Sequence, residues 1–216
     1  MGKHHGNQFP GESADYRIAR DALLEREIEL REQLAEVAKL RRDLPPGGSL
    51  KEDYVFEEGA RDLTDESTRT KTRFSELFSA GKNSLFVYSF MYPPDADQGC
   101  PMCTSFLDGL NGSASHIGDR MNIAVVAKAP IGKIRSWGRG RGWHNLRLLS
   151  SGGTSYNADY FAEHPEWGQM PAINVFRKQD EEIRHFYSAE LLYSTTAEGQ
   201  HPRHADLLCR SGTSSI

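Results

Sequence analysis

Ser84-Leu85-Phe86-Val87-Tyr88-Ser89-Phe90-Met91 is an unbroken apolar and aromatic run, and a short loop further on stands Gly99-Cys100-Pro101-Met102-Cys103. The first stretch has no polar alternation, which is the pattern of a strand buried on both faces. Pro93-Pro94 stops it. The second stretch opens a helix, because proline is tolerated at the first helical position, where its missing N–H is not needed. Phe106, Leu107 and Leu110 then fall on one face of a helix over 104–116, weakened near its end by Gly109 and Gly112. Cys100 becomes the cap residue, with its sulfur facing the unpaired amides and the positive end of the helix dipole. Such a position favours thiolate over thiol, and the thiolate is the nucleophile. Cys103, about one turn along, can attack a mixed disulfide formed at Cys100.

Working outward, Asn122-Ile123-Ala124-Val125-Val126-Ala127 reads as a second buried strand, and Pro130 opens another helix through Ile134 and Trp137 to a glycine-broken end near Gly142. The stretch 146–168 reads as mixed loop. Ala172 to Arg177 and Ile183 to Tyr187 are two further strands, joined by the charged turn 178–182 into an antiparallel hairpin. His201 to Cys209 reads as a last short helix. On the N-terminal side, Tyr54-Val55-Phe56 is a short strand, followed by a polar connection with one helical turn around Phe74, Leu77 and Phe78. The order is strand, helix, strand, helix, strand, strand, helix. That is an α/β domain with a parallel β-α-β unit and a hairpin on the same sheet.

Before this domain, from Ser13 to Leu44, Tyr16, Leu23, Leu30, Leu34, Val37 and Leu44 recur at spacings of three, four and seven and form one amphipathic stripe. Pro45-Pro46-Gly47-Gly48 ends that helix. The expected division is residues 1–13 disordered, 14–49 helix and break, 50–209 the α/β core domain, and 210–216 flexible tail. The stripe suits either packing along its own domain or pairing with a second subunit as a homodimer.

Bulk properties narrow the class. The 216 residues carry a net charge of −4 and only three cysteines. A disulfide-stapled secreted scaffold would hold far more cysteine. There is no apolar leader, and no run approaches the length of a membrane span, so a reducing cytoplasm is the default compartment. Gly6 stands where N-myristoylation needs serine or threonine. Lys133, Arg135, Arg139, Arg141 and Arg147, interleaved with Trp137 and Trp143, form a local basic stretch. The chain as a whole is acidic and has no nucleic-acid motif, so a solvated helix face is the better reading and nucleic acid is not expected.

The stretches 85–91 and 99–103 resemble a bacterial thioredoxin-like family catalogued as domain of unknown function eight-nine-nine. Arg42-Asp43-Leu44-Pro45, Asp53-Tyr54-Val55-Phe56, Ala129-Pro130-Ile131-Gly132-Lys133-Ile134, Gly142-Trp143, Asn157-Ala158-Asp159-Tyr160-Phe161 and Val175-Phe176-Arg177 are similar to its pattern too. The resemblance runs from about residue 15 to 208 and implies a thioredoxin-like fold and a dithiol-disulfide oxidoreductase. In the thioredoxin fold the position of Met170-Pro171, just before the hairpin, holds a cis-proline against the cysteine pair, where the preceding backbone meets substrate. Two departures stand out. Gly99 replaces the usual tryptophan before the first cysteine, and the tail after Leu208 leaves the family's pattern, Cys209 with it.

Thiol–disulfide exchange is therefore expected, with Cys100 as nucleophile, Cys103 as resolving thiol, and Met170 and Pro171 at the substrate groove. The partner would be a protein or small-molecule disulfide or thiol, and no bound cofactor is called for, since the electrons reside on two sulfurs. The alternatives are a redox-inactive interaction module dimerising through its N-terminal helix, and a structural zinc site that would recruit His201, His204 and Cys209. A Cys–His hydrolase would need His144, His164 or His185 beside Cys100.

Overall fold

The computed structural model describes residues 3–199. The expected C-terminal helix over 201–209, Cys209 and the tail lie outside the described residues. The chain forms two compact units, residues 1–45 and 46–216.

The first unit is built on α1, Ala14–Arg42, capped as expected by Ser13, whose Oγ accepts from the Tyr16 N–H at 3.1 Å. Lys39, Arg41 and Arg42 fill the last turn, where the dipole favours cations. Residues preceding the cap turn back along the helix. The Lys3 N–H donates to Asp21, and Arg17 is buried between the carboxylates of Glu12 and Asp21. The stripe Tyr16, Leu23, Leu30, Leu34, Val37 and Leu44 is exposed.

The second unit is a seven-stranded sheet. Its strands are β1 (Val55–Glu58), β2 (Thr70–Arg73), β3 (Ser84–Ser89), β4 (Asn122–Ala127), β5 (Leu148–Ser150), β8 (Ala172–Gln179) and β9 (Glu182–Ser188), in the order β2-β1-β5-β4-β3-β8-β9. A separate two-stranded hairpin, β6 (Glu163–His164) and β7 (Gly168–Gln169), precedes β8. Helix α2, Pro101–Gly118, connects β3 to β4, which are parallel, and α3, Ile131–Arg141, connects β4 to β5. β8 returns antiparallel against β3, Ser89 facing Ala172 and Leu85 facing Phe176, and β9 completes the hairpin. The block β4-β3-β8-β9, with the cysteine pair opening the helix after β3, is the thioredoxin-like arrangement expected from the sequence.

Five elements were not expected. β2 reads as polar connection because it is an edge strand with only Thr72 buried. β5 is three residues long and so carries no period. The hairpin β6-β7 and the short helix α4, Tyr156–Asp159, occupy what reads as loop. The helical turn at 74–77 is present as a 3₁₀ segment.

β3 is buried on both faces because its residues serve two cores. Tyr88 and Phe90 join Leu107, Leu110, Val125, Ile134, Trp143 and Ile173 on the side of α2 and α3. Leu85 and Val87 join Tyr54, Phe56, Phe74, Val126, Tyr156 and Phe176 on the other. The second core is aromatic, with Phe74 and Phe176 edge to face at 4.7 Å and Tyr54 against Tyr156 at 5.4 Å.

Candidate active site

Met91, at the end of the apolar run, holds both cysteines with its own peptide groups. Its carbonyl accepts from the Cys100 N–H at 2.9 Å, and its N–H donates to the Cys103 sulfur. The chain between them makes a tight loop. The Tyr92 hydroxyl donates to the Asp97 carbonyl at 3.2 Å, and Lys133 Nζ donates to the carbonyls of Pro94 and Ala96. Gly99 is required there: a Cβ on it would stand 2.2 Å from Cζ of Phe90. The aromatic side chain that thioredoxins carry before the first cysteine has no room here, which accounts for the departure seen in the sequence.

Cys100 is the N-cap of α2 and Pro101 its first residue, as the sequence predicts. Thr104 fastens the first turn, its N–H and its hydroxyl both donating to the Cys100 carbonyl at 2.9 Å, and Trp137 Nε1 donates to the Thr104 hydroxyl. One detail differs from expectation. The Cys100 sulfur makes no capping hydrogen bond to the helix amides.

The two sulfurs sit in different environments. Cys100 is half-buried, whereas Cys103 is 2% exposed and packed in the core between sheet and α2. Burial pushes the Cys103 thiol up to about 12, opposed by hydrogen bonds from the Tyr88 hydroxyl and the Met91 N–H. Its S–H is shared with the Cys100 sulfur, which also holds the proton on Cys103. Both are free thiols. The pair is thus one accessible sulfur backed by one buried, protonated sulfur within hydrogen-bonding reach.

Met170 and Pro171 stand between β7 and β8, and the peptide joining them is trans, where the thioredoxin fold holds a cis bond. The Met170 N–H donates to the Ala162 carbonyl at 2.9 Å, so the carbonyl is the group this residue has to offer. Gln169 ties this segment to the cysteine loop, its Oε1 accepting from the Tyr92 N–H at 3.0 Å. Sequence reasoning missed Tyr88, Met91 and Gln169. Tyr88 looked like one more apolar residue of a buried strand, and the other two act through backbone contacts or a distant loop.

The remaining candidates are engaged elsewhere. Lys133 is spent on the loop carbonyls, Arg135 on those of Ala60, Asp62 and Asp65, and Arg139 on Leu63 and Glu66. Arg141 pairs with Asp108 and Arg147 with Glu58. The basic stretch is an internal clamp, not a free cationic face. His185 bonds Asn174 at 2.9 Å, and His164 stacks on Trp167. Among the described residues no group of histidine, cysteine and carboxylate side chains is arranged to hold a metal. A cavity of about 540 Å³ is lined by the last turn of α2 and the first residue of β4, at the end of those elements away from the cysteines, which do not line it. No helix among the described residues is long and apolar enough to cross a membrane.

A family model described as "Bacterial protein of unknown function (DUF899)" matches residues 6–208, and the chain belongs to that family. No curated protein matches the chain. Among solved structures it is similar to reduced Prx3 from Vibrio vulnificus in complex with H2O2, at 15% identity and TM-score 0.48, covering 73% of this chain and 91% of that one. AhpC from Enterococcus faecalis matches at 14% identity and TM-score 0.48, over 72% of this chain and 83% of its own. The Plasmodium falciparum antioxidant protein, a 1-Cys peroxiredoxin, matches at 12% identity and TM-score 0.49, over 68% and 83%. These are distant likenesses of backbone path. The thioredoxin-like arrangement rests on the strand order described above.

Proposed function

We propose that this member of the family is a thiol–disulfide oxidoreductase in which Cys100 is the nucleophile and Cys103 the resolving thiol. The observation that carries the reading is the asymmetry of the pair at the start of α2, a half-buried sulfur at the helix N-cap hydrogen-bonded to a buried one. The Cys100 thiolate attacks one sulfur of a substrate disulfide; a new S–S bond forms to Cys100, the old one breaks, and the departing thiolate takes up a proton. Cys103 then gives up its proton and attacks Cys100. The second substrate thiol is released, and a Cys100–Cys103 disulfide remains. Two electrons have passed to the substrate, and an external dithiol returns the pair to its starting state. The same steps run backwards when the pair starts oxidised. The thermodynamic cost of ionising Cys103 falls where Tyr88 and Met91 donate to its sulfur.

Reduction of insulin by a dithiol-recycled protein tests this. Cys100→Ser is expected to remove at least about a hundredfold of the rate, and Cys103→Ser to accumulate a stable mixed disulfide at Cys100 visible by mass. Exchange that survives in Cys100→Ser sinks the mechanism.

A further inference from the structure

The apolar stripe of α1 has a strict period. Tyr16, Leu23, Leu30, Val37 and Leu44 follow one another at intervals of seven residues, with Leu34 beside Leu30 and Val37 on the flank of the row. At 1.5 Å per residue the row runs for about 42 Å, four heptads, along one side of the helix. It is left in water, Leu23 47% and Leu30 50% exposed. The opposite side of α1 is already covered. Arg17, Asp21, Leu24 and Ile28 lie about half a turn from the row, and the residues before the cap fold back onto them. There Arg17 donates to the Asn7 carbonyl and pairs with Glu12, the Lys3 N–H donates to Asp21, and Leu24 and Ile28 are half-buried. The N-terminal segment thus occupies one face of the helix and leaves the heptad face bare.

An apolar row that repeats every seven residues stays in contact with another helix of the same repeat. The charges on its two flanks select the occupant and its direction. One flank carries Asp15, Ala22, Glu29, Glu36 and Asp43, and the other Arg20, Glu27, Leu34 and Arg41. In two parallel copies in register, a residue of the first flank meets the residue five positions further on in the other copy. Asp15 then meets Arg20 and Glu36 meets Arg41, while Ala22 with Glu27 and Glu29 with Leu34 bring no like charges together. Antiparallel copies would set the acidic flank against itself. The seam also holds Gln33 and Arg26. Gln33 meets its own counterpart, and an amide can both donate to and accept from a second amide. Arg26 is bound to Glu29 of its own helix at 2.6 Å, which offsets its charge.

We propose that the heptad face of α1 binds a second copy of this chain as a parallel, in-register, two-stranded coiled coil. Leu23, Leu30 and Val37 bury against their counterparts, and the Asp15–Arg20 and Glu36–Arg41 pairs fix direction and register. Both chains then leave the paired helices at the same end, through Pro45-Pro46. This stands independently of the exchange chemistry proposed above.

Sedimentation equilibrium of the full chain over a range of concentrations tests this, with reductant present so that no intermolecular disulfide contributes. The wild type is expected as a dimer. Leu30→Glu, at an exposed position in the middle of the row, is expected to raise the dissociation constant at least about a hundredfold. Glu36→Arg and Arg41→Glu are each expected to weaken the dimer about tenfold, and the double variant to recover most of the affinity, because parallel pairing joins these two positions. A wild type that is monomeric at every concentration overturns the proposal. Its co-sedimentation with vesicles of mixed phosphatidylcholine and phosphatidylserine would then name a lipid surface as the occupant, and a lowered Tm in Leu30→Glu the chain's own second unit. A dimer that survives Leu30→Glu is held together elsewhere and overturns it as well. A dimer that Leu30→Glu dissociates but Glu36→Arg tightens is antiparallel, which overturns the stated pairing.

Discussion

At the scale of single residues, the Cys103 sulfur is where folding and chemistry pull in opposite directions. The fold buries it as a thiol, and resolution of a mixed disulfide needs it as a thiolate. Tyr88 is placed to moderate the conflict. Its hydroxyl donates to Cys103, while its ring stacks on Phe106 at 4.5 Å and so has little freedom to turn away. Tyr88→Phe removes the donor and little volume. The Cys103 thiol then moves further up, and decay of the mixed disulfide should slow by about tenfold at neutral pH while its formation by Cys100 keeps its rate. Rapid mixing that follows the two steps separately checks this; equal slowing of both steps, or of neither, would show that the hydroxyl does not act on resolution. The same raised value has a consequence for stability. A thiol ionising near 9 when unfolded and near 12 when folded stabilises the reduced protein fully below pH 9 and loses that contribution as pH climbs towards 12. Urea unfolding should show the reduced protein weakening across that window, with a shallower slope in Cys103→Ala, where the buried tyrosines alone supply it.

At the scale of elements, the loop that presents the pair depends on one absent side chain. A Cβ at position 99 would penetrate the Phe90 ring, which packs at 5.8 Å from Trp143. Gly99→Ala should cost about 1–3 kcal/mol and lower Tm by several degrees, measurable by calorimetry. An unchanged Tm would mean that Phe90 yields more readily than its burial suggests. This position also marks the limit of sequence reading. The buried run 84–91, the helix start at Pro101 and the hairpin after Pro171 were legible because each has its own local signature: no polar alternation, a proline at N1, two β-rich stretches around a charged turn. β2 was not, because its four residues bury one side chain and its identity as a strand comes only from pairing with β1. β5 is a strand because β4 and β1 flank it. The cysteines were legible as a pair, but not their division of labour. Which sulfur is buried depends on a core to which α2, β3 and β8 contribute Leu107, Tyr88 and Ile173 from separate parts of the chain.

At the scale of the whole molecule, every hydrogen bond described around the cysteines comes from residues 88–169 of the second unit. A chain beginning at Pro46 keeps Gly47 and Gly48, whose backbones bond His185 on β9, and loses α1 alone. Such a truncation is expected to unfold cooperatively and to reduce insulin at the rate of the full chain; aggregation or loss of exchange would show that the first unit supports the second. The topology has a temporal consequence as well. β3 lies between β4, which follows it closely, and β8, which is made only after α3, β5 and the β6-β7 hairpin. Parallel and non-local pairings form late because the intervening chain must first be closed into a loop. During synthesis both cysteines therefore leave the ribosome while β3, the strand before them, still has one flank bare and the core that buries Cys103 lacks its β8 members. For that interval Cys103 is open to the same reagents as Cys100, whereas in the finished fold it is buried.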